Sequence, residues 1–266
     1  MSKDYISFSQ FRNWVHCPYY HKVVYIDKLY RFPGNEHTSF GTAIHNTYEK
    51  SIVTEEKFDK ALHFNKKYLE LLKELSGKGV KFNKKLVEDM REQGAELAPL
   101  AIPALKEYFG EYEIFSVEEE IYETIHEFPK KEFKFKGFID LVLKTKDGKY
   151  HIIDWKTCSW GWNSQKRSDP IINYQLVFYK HFFAKKYDID PKKIEIYFAL
   201  AKRTKPGPRS KNKERIEIFR TTSGAKKTDN ALNYLIKALH NMVNGVSIKN
   251  RLSCNRCDIY KTKFCK

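Results

Sequence analysis

A chain of 266 residues is long enough for one α/β domain with a helical appendage and a substantial buried core. Its 49 Lys and Arg against 33 Asp and Glu leave a formal charge of +16, spread along the chain, which favours a polyanionic partner. No apolar run is long enough to span a bilayer and Met1 to Lys28 carries no secretory signal pattern, so a membrane partner is set aside, a cytoplasmic, reducing location is expected and nucleic acid is the leading partner. Lysines that merely keep a protein in solution are the plainer reading of the same charge.

In chain order, Ser7 and Ser9 can each cap a helix, and Phe11, Trp14 and Val15 continue at helical spacing up to Cys17-Pro18. Ser7 to Tyr30 therefore reads as a short helix, a turn and a second helical stretch. A polar loop, Arg31 to Ser39, leads to a helix opened by Gly41-Thr42-Ala43-Ile44-His45 and ending near Ile52. Glu55 to Phe109 is highly charged with helical periodicity, broken at Gly77 and Gly79 into two helices. From Glu113 the pattern changes: Ile114 to Ile125, Glu132 to Thr145 and Lys149 to Trp155 are rich in β-branched and aromatic residues and predict three strands, the last two joined by an Asp147-Gly148 hairpin turn. An amphipathic helix over Asp169 to Tyr187, strands over Lys193 to Ala201 and Arg215 to Arg220, and a helix over Thr221 to Gly245 complete the pattern. The loop between the last two strands carries Lys202, Arg203, Lys205, Arg209, Lys211 and Lys213, a candidate grip on a phosphate backbone. The fold class is mixed α/β (α+β): an N-terminal helical part with the histidine (1–112), a central mixed sheet flanked by helices (113–222), and a C-terminal helix with a cysteine tail (223–266).

Two carboxylates and a lysine, Asp140, Asp154 and Lys156, interrupt otherwise apolar strands in Gly137-Phe138-Ile139-Asp140-Leu141-Val142 and His151-Ile152-Ile153-Asp154-Trp155-Lys156-Thr157. Asp154 and Lys156 share a strand face, and a one-residue offset at the turn, such as a glycine bulge, would bring Asp140 to them. Two buried like charges with one lysine between them suggest a divalent cation, and oxygen ligands suit Mg²⁺ or Mn²⁺. The plainer alternative is a salt-bridged strand edge. Aromatic residues make up 15% of the chain and many flank lysines, as in Phe133-Lys134-Phe135-Lys136, a pattern that suits base stacking or strand packing.

The pairing of Gly-Phe-Ile-Asp with Ile-Ile-Asp-Trp-Lys-Thr resembles the core signature of the RecB-like branch of the PD-(D/E)xK nucleases, and two further motifs extend the resemblance over nearly the whole chain. Gly41 to His45 resembles the family's G-x-x-x-H motif, and Gln175 with Tyr179 its Q-x-x-x-Y motif, whose i, i+4 spacing sets both on one helix face. The resemblance implies a restriction-endonuclease-like core and a metal-dependent DNA nuclease, with Asp140, Asp154, Lys156, Gln175 and Tyr179 in the catalytic machinery. It also implies His45, Asp140, Asp154 and the Trp155 backbone carbonyl as metal ligands. Relatives often carry a further glutamate on the first strand; of Glu118, Glu119 and Glu120, we take Glu120, deeper in the strand.

Of five cysteines, Cys254, Cys257 and Cys265 crowd the tail, and the absence of a secretory signal argues against a disulfide framework. With Cys17-Pro18 they resemble the four-cysteine pattern of AddB-type and CRISPR-associated RecB-like exonucleases, which implies a [4Fe-4S] cluster stapling the two chain ends. Seven residues separate Cys257 from Cys265 where that pattern has five, and Zn²⁺ is the alternative occupant. Cys158 reads as a buried strand-end thiol. The expected activity is single-strand or end-directed cutting of DNA, with partner proteins of recombination, replication or CRISPR adaptation. A DNA-binding subunit without its own cutting is the second reading, and RNA as the polymer is a third.

Overall fold

The computed structural model describes residues 4–54, 57–129, 132–210 and 212–266. Strand β1 (Tyr5–Ser7) runs straight into α1 (Phe8–His16), followed by α2 (Pro18–His21), a π-helical turn (Lys22–Ile26), α3 (Glu36–Val53), α4 (Lys60–Gly77), α5 (Lys84–Leu97) and α6 (Ala101–Phe109). Then come β2 (Tyr112–Thr124), β3 (Lys134–Thr145), β4 (Tyr150–Cys158), α7 (Ser164–Ser168), α8 (Pro170–Tyr187), β5 (Ile194–Lys202), β6 (Ile216–Thr221) and α9 (Ala225–Val243). Local chemistry sets the boundaries: Ser7 and Gln10 form a reciprocal capping box, Asp169 caps α8 ahead of Pro170, and Asn35 caps α3. That last cap starts α3 at Glu36, so the segment expected as a loop up to Ser39 already contains the helix's first turn. A break at Ala98 to Leu100 divides the charged helical segment into three helices rather than two.

The six strands form one mixed sheet in which β3 is central to the site. Strand β2 pairs antiparallel with β3 over its whole length, from Tyr112↔Thr145 to Thr124↔Lys134. The opposite edge of β3 is divided: β1 lies parallel to Lys134–Lys136, while β4 is antiparallel to Leu141–Lys144 only. Beyond Ile153, β4 leaves β3 and continues to Cys158 paired only with β5, so the sheet forks at Asp140 and Asp154. Gly148 adopts φ +77° and the Thr145 N–H donates to Lys149 O at 3.0 Å, so Lys146, Asp147 and Gly148 close the hairpin as a glycine-bulge loop. This supplies the one-residue offset: Leu141 pairs with Ile153, and the next positions outward are Asp140 and Asp154.

Helices cover both faces of the sheet. Ile196, Phe198 and Leu200 of β5 pack with α1, α8 and α9, whereas Tyr197, Ala199 and Ala201 pack with α3 to α6. Strand β5, parallel to β4 and antiparallel to β6, is buried on both faces, which explains why that segment reads as a continuous apolar run. The two chain ends are clasped together: Tyr19 N–H donates to Ile248 O (3.2 Å), Tyr19 Oη to Phe264 O (2.9 Å), and Asn250 Nδ2 and Ser253 Oγ both to His16 O (2.8 and 2.6 Å). Among the described residues, no helix is long and apolar enough to cross a membrane.

Candidate active site

The fork leaves backbone and side chains of β3 and β4 without their usual partners, and the site is built from what fills the gap. Trp155 N–H, which no β3 carbonyl can reach, donates to Asp140 Oδ2 at 2.6 Å. His45, one turn into the buried part of α3, lies with Nδ1 3.6 Å from Asp140 Oδ1. On the other side of the sheet, Gln175 of α8 donates through Nε2 to Asp154 Oδ1 (2.8 Å) and stands 3.3 Å from Tyr179 Oη. Lys156 Nζ is 2.7 Å from Asp154 Oδ2, although that oxygen receives no hydrogen bond of good geometry. Helices from both layers thus converge on the two aspartates, and His45, Asp140, Asp154, Lys156, Gln175 and Tyr179 form one cluster.

Electrostatics distinguish the two carboxylates. Burial pushes the Asp154 carboxyl up, Asp140 adding to the rise and Lys156 opposing it. For Asp140 burial acts in the same direction but is outweighed by His45, Lys156 and the Trp155 N–H, which hold it below the usual carboxylate range. His45 is the counterpart: burial disfavours its charged form, and Asp140 overcomes this and raises it.

Glu120 does not join the cluster. It is ion-paired with Lys136 at 3.1 Å on the outer part of β2, whereas Glu118, although solvent-exposed, lies at the level of Asp140 between the pairs Val117↔Leu141 and Glu119↔Ile139. A register shift between Ile114 and Ser116 and a left-handed backbone at Glu118 (φ +50°) turn this residue toward the site. Partial burial raises its carboxyl, with Asp140, Glu49 and Asp154 adding to the effect and His45 opposing it. Glu49, one turn beyond His45 on α3, is therefore a second acidic neighbour; its i, i+4 spacing from His45 is the signal that could have found it.

The basic loop after β5 is only partly a free surface. Lys202 is buried at the end of β5 with Glu217 3.6 Å away, which corrects its expected phosphate-gripping role. Arg203 donates to Ser159 Oγ (2.7 Å), Lys205 pairs with Glu96 (2.6 Å), and Lys213 Nζ donates to the carbonyls of Gly207 and Pro208. Arg209 is exposed, and Lys211 lies outside the described residues.

Among the described residues, no group of three or more His, Cys, Asp or Glu side chains converges as a ready metal-binding set. Mg²⁺ needs less than that, because it retains several waters and takes one or two carboxylates. Asp140 and Asp154, with His45 and the Trp155 carbonyl, fit such an ion by donor chemistry, and Asp154 Oδ2 is a buried acceptor with capacity left. At the clasp, Asn250 N–H donates to Cys17 Sγ (3.4 Å) and Cys265 is buried against Val23 and Ile259. Burial raises the Cys257 thiol, two backbone N–H groups oppose this, and Cys17 and Cys265 add to it.

A three-layer domain whose sheet forks around paired aspartates and a lysine has the restriction-endonuclease-like architecture. The chain belongs to the PD-(D/E)XK nuclease superfamily, whose family model matches residues 5–262. Among solved structures, one described as "Crystal structure of SSO0001" is 14% identical, with 82% of this chain and 92% of that one covered and a TM-score of 0.40. No curated protein matches the sequence.

Proposed function

We propose that the protein is a metal-dependent DNA nuclease, directed to single strands or ends, with Asp140, Asp154 and Lys156 at its centre. The observation that carries this reading is the fork itself, which puts two aspartates opposite each other, one with an acceptor oxygen to spare, beside a lysine. Asp140, Asp154, His45 and the Trp155 carbonyl would hold Mg²⁺ or Mn²⁺, which would lower the pKa of a water and screen charge on the phosphate. Lys156 moves from Asp154 toward the developing negative charge of the transition state. Gln175 keeps Asp154 oriented, and Tyr179 backs Gln175. Incubating the protein with end-labelled single- and double-stranded DNA in Mg²⁺, Mn²⁺ or EDTA tests this directly. DNA left intact in both metals, with tight salt-sensitive binding, would move the protein to the class of binding subunits.

Gly137 links this machinery to the backbone of β3. A Cβ there would stand 2.6 Å from Tyr179 Cε1, in a ring wall already closed by Phe135. Gly137→Ala should displace Tyr179, loosen Gln175 from Asp154 and reduce kcat at least tenfold, at a stability cost of about 1–3 kcal/mol. Cleavage and urea titration on the same preparation check both, and an unchanged kcat would separate Tyr179 from catalysis.

The reading extends to Cys17, Cys254, Cys257 and Cys265 as ligands of a [4Fe-4S] cluster, supported by the meeting of the two chain ends beside Cys17; among the described residues the four thiols do not yet converge as a metal-binding set, so the cluster would have to draw them together. Anaerobically purified protein should then be brown and contain iron, and Cys257→Ser should lose colour, iron and thermal stability together. Zinc in place of iron would assign the alternative metal, and neither metal would remove the cluster.

A further inference from the structure

The outer half of β3, leading to Asp140, carries an aromatic and basic surface that the catalytic cluster does not use. Phe138 is 45% exposed and Tyr122, on the paired strand, 44% exposed. Lys136 Nζ lies 5.6 Å from the ring centroids of both and 5.8 Å from that of Tyr5. A cavity of about 410 Å³ opens beside them, lined by Phe138, Tyr5, Gln10 and Tyr25, and it includes Gln175 and Tyr179. Gln175 is also the residue whose amide holds Asp154, so this cavity and the carboxylate site share a wall. A second cavity, of about 620 Å³, shares Ser9 and Tyr25 with the first and adds Arg12, Arg31 and His16. The π-helical turn at Lys22–Ile26 presents Tyr25 at the junction of the two.

The volume of the first cavity falls in the range of small-ligand sites. Aromatic faces beside lysines attract stacked bases and their phosphates without regard to sequence. A base within a duplex already has its stacking and pairing partners and must be extruded before it can enter such a space. The geometry points to a subsite for one unpaired nucleotide of single-stranded DNA next to the scissile phosphate. Its base stacks on Phe138, its phosphate takes the place of the exposed Glu120 carboxylate at Lys136, and the strand continues past Tyr25 toward Arg12 and Arg31. The identity of the polymer rests on the nuclease reading above; the position and preference of the subsite rest on the exposed rings and the shared wall.

Binding and cutting are measured separately so that the two readings can fail separately. In EDTA, anisotropy of a short fluorescein-labelled oligonucleotide is followed with wild type, Phe138→Ala and Phe138→Tyr, against single strand, duplex, and a set of single strands with one abasic site moved stepwise. Phe138→Ala should weaken single-strand binding about tenfold, Phe138→Tyr should restore it, and wild type should prefer single strand to duplex. One abasic position should reproduce the loss, and there Phe138→Ala should cost nothing more. Unchanged binding by Phe138→Ala, or a loss that adds in full at every abasic position, overturns the subsite, and tighter binding of RNA of the same sequence overturns its assignment to DNA. Coupling without metal-dependent cutting would leave the subsite standing and remove the nuclease, whereas cutting that depends on Asp154 without coupling would do the reverse.

Discussion

Asp154→Asn should melt at a higher temperature than the wild type in EDTA and cut no DNA in Mg²⁺. The Asp154 carboxylate is buried and near Asp140, and Lys156 offsets only part of the cost of its charge. An amide of the same shape keeps the bond from Gln175 and removes that charge, while Lys156, about one-third exposed, reaches water on its own. A gain of about 1–2 kcal/mol is expected without metal, or roughly 2–4 °C per kcal/mol for a domain of this size. The pH dependence has a definite sign. A carboxyl raised in the folded state binds its proton more readily there than in the unfolded chain, so wild-type stability rises as pH falls through the raised value. The asparagine variant lacks this rise, and the gap between the two melting curves closes toward the ordinary carboxylate range. Added Mg²⁺ should stabilise wild type by mass action and leave the variant unmoved. Cleavage should fall on the order of a thousandfold or more, matching the several kcal/mol such an ion contributes. Retained cleavage would remove Asp154 from the centre of the chemistry.

Gly94→Ala should be the most damaging small substitution in the helical layer. Helix α5 crosses α4 at this residue, and a methyl group there would overlap the ring of Phe64. That ring has nowhere to go: it stacks on Tyr68 at 5.6 Å and meets Phe40 edge-on at 5.2 Å, and all three are fully buried. Alanine's better helix propensity returns at most about 1 kcal/mol, so a net loss of about 2–3 kcal/mol is expected in urea unfolding. The loss should spread to the loop after β5, because Glu96 of α5 holds Lys205 and Arg215. Phe64→Leu in the same chain should recover part of it. Full stability of Gly94→Ala would show that the Phe64 ring can leave its place between Tyr68 and Phe40 without loss.

Of the six residues of the candidate site, strand alternation put Asp154 and Lys156 on one face, whereas His45, Gln175 and Tyr179 were named only through the resemblance of their motifs to the family's, helix spacing adding that Gln175 and Tyr179 share a face. Asp140 needed the bulged turn, which Asp147-Gly148 suggested and the backbone of Gly148 supplies. Glu118 was not legible, since its inward turn depends on a register shift between strands that no single-strand pattern encodes. The three-residue strand β1 is too short to show a period, and its pairing with β3 is purely tertiary. Lys202 misled because a lysine at a strand end reads as solvent-facing until Glu217 on the neighbouring strand draws it inward. The third helix of the charged segment did have a local mark: Pro99 follows Ala98 directly, and a proline ends or kinks the helix before it, whereas the expected break lay only at Gly77 and Gly79.

The clasp between Tyr19, His16 and the last turns of the chain also has a mechanical meaning. A pull on the first described residue loads the β1–β3 rungs at once, since Asp4 O already accepts from Lys134 N–H, whereas a pull on the last is met first by the hydrogen bonds of the clasp. Rupture of the clasp would release the C-terminal tail alone, while the N-terminal end stays anchored in the sheet on the same strand that carries Asp140.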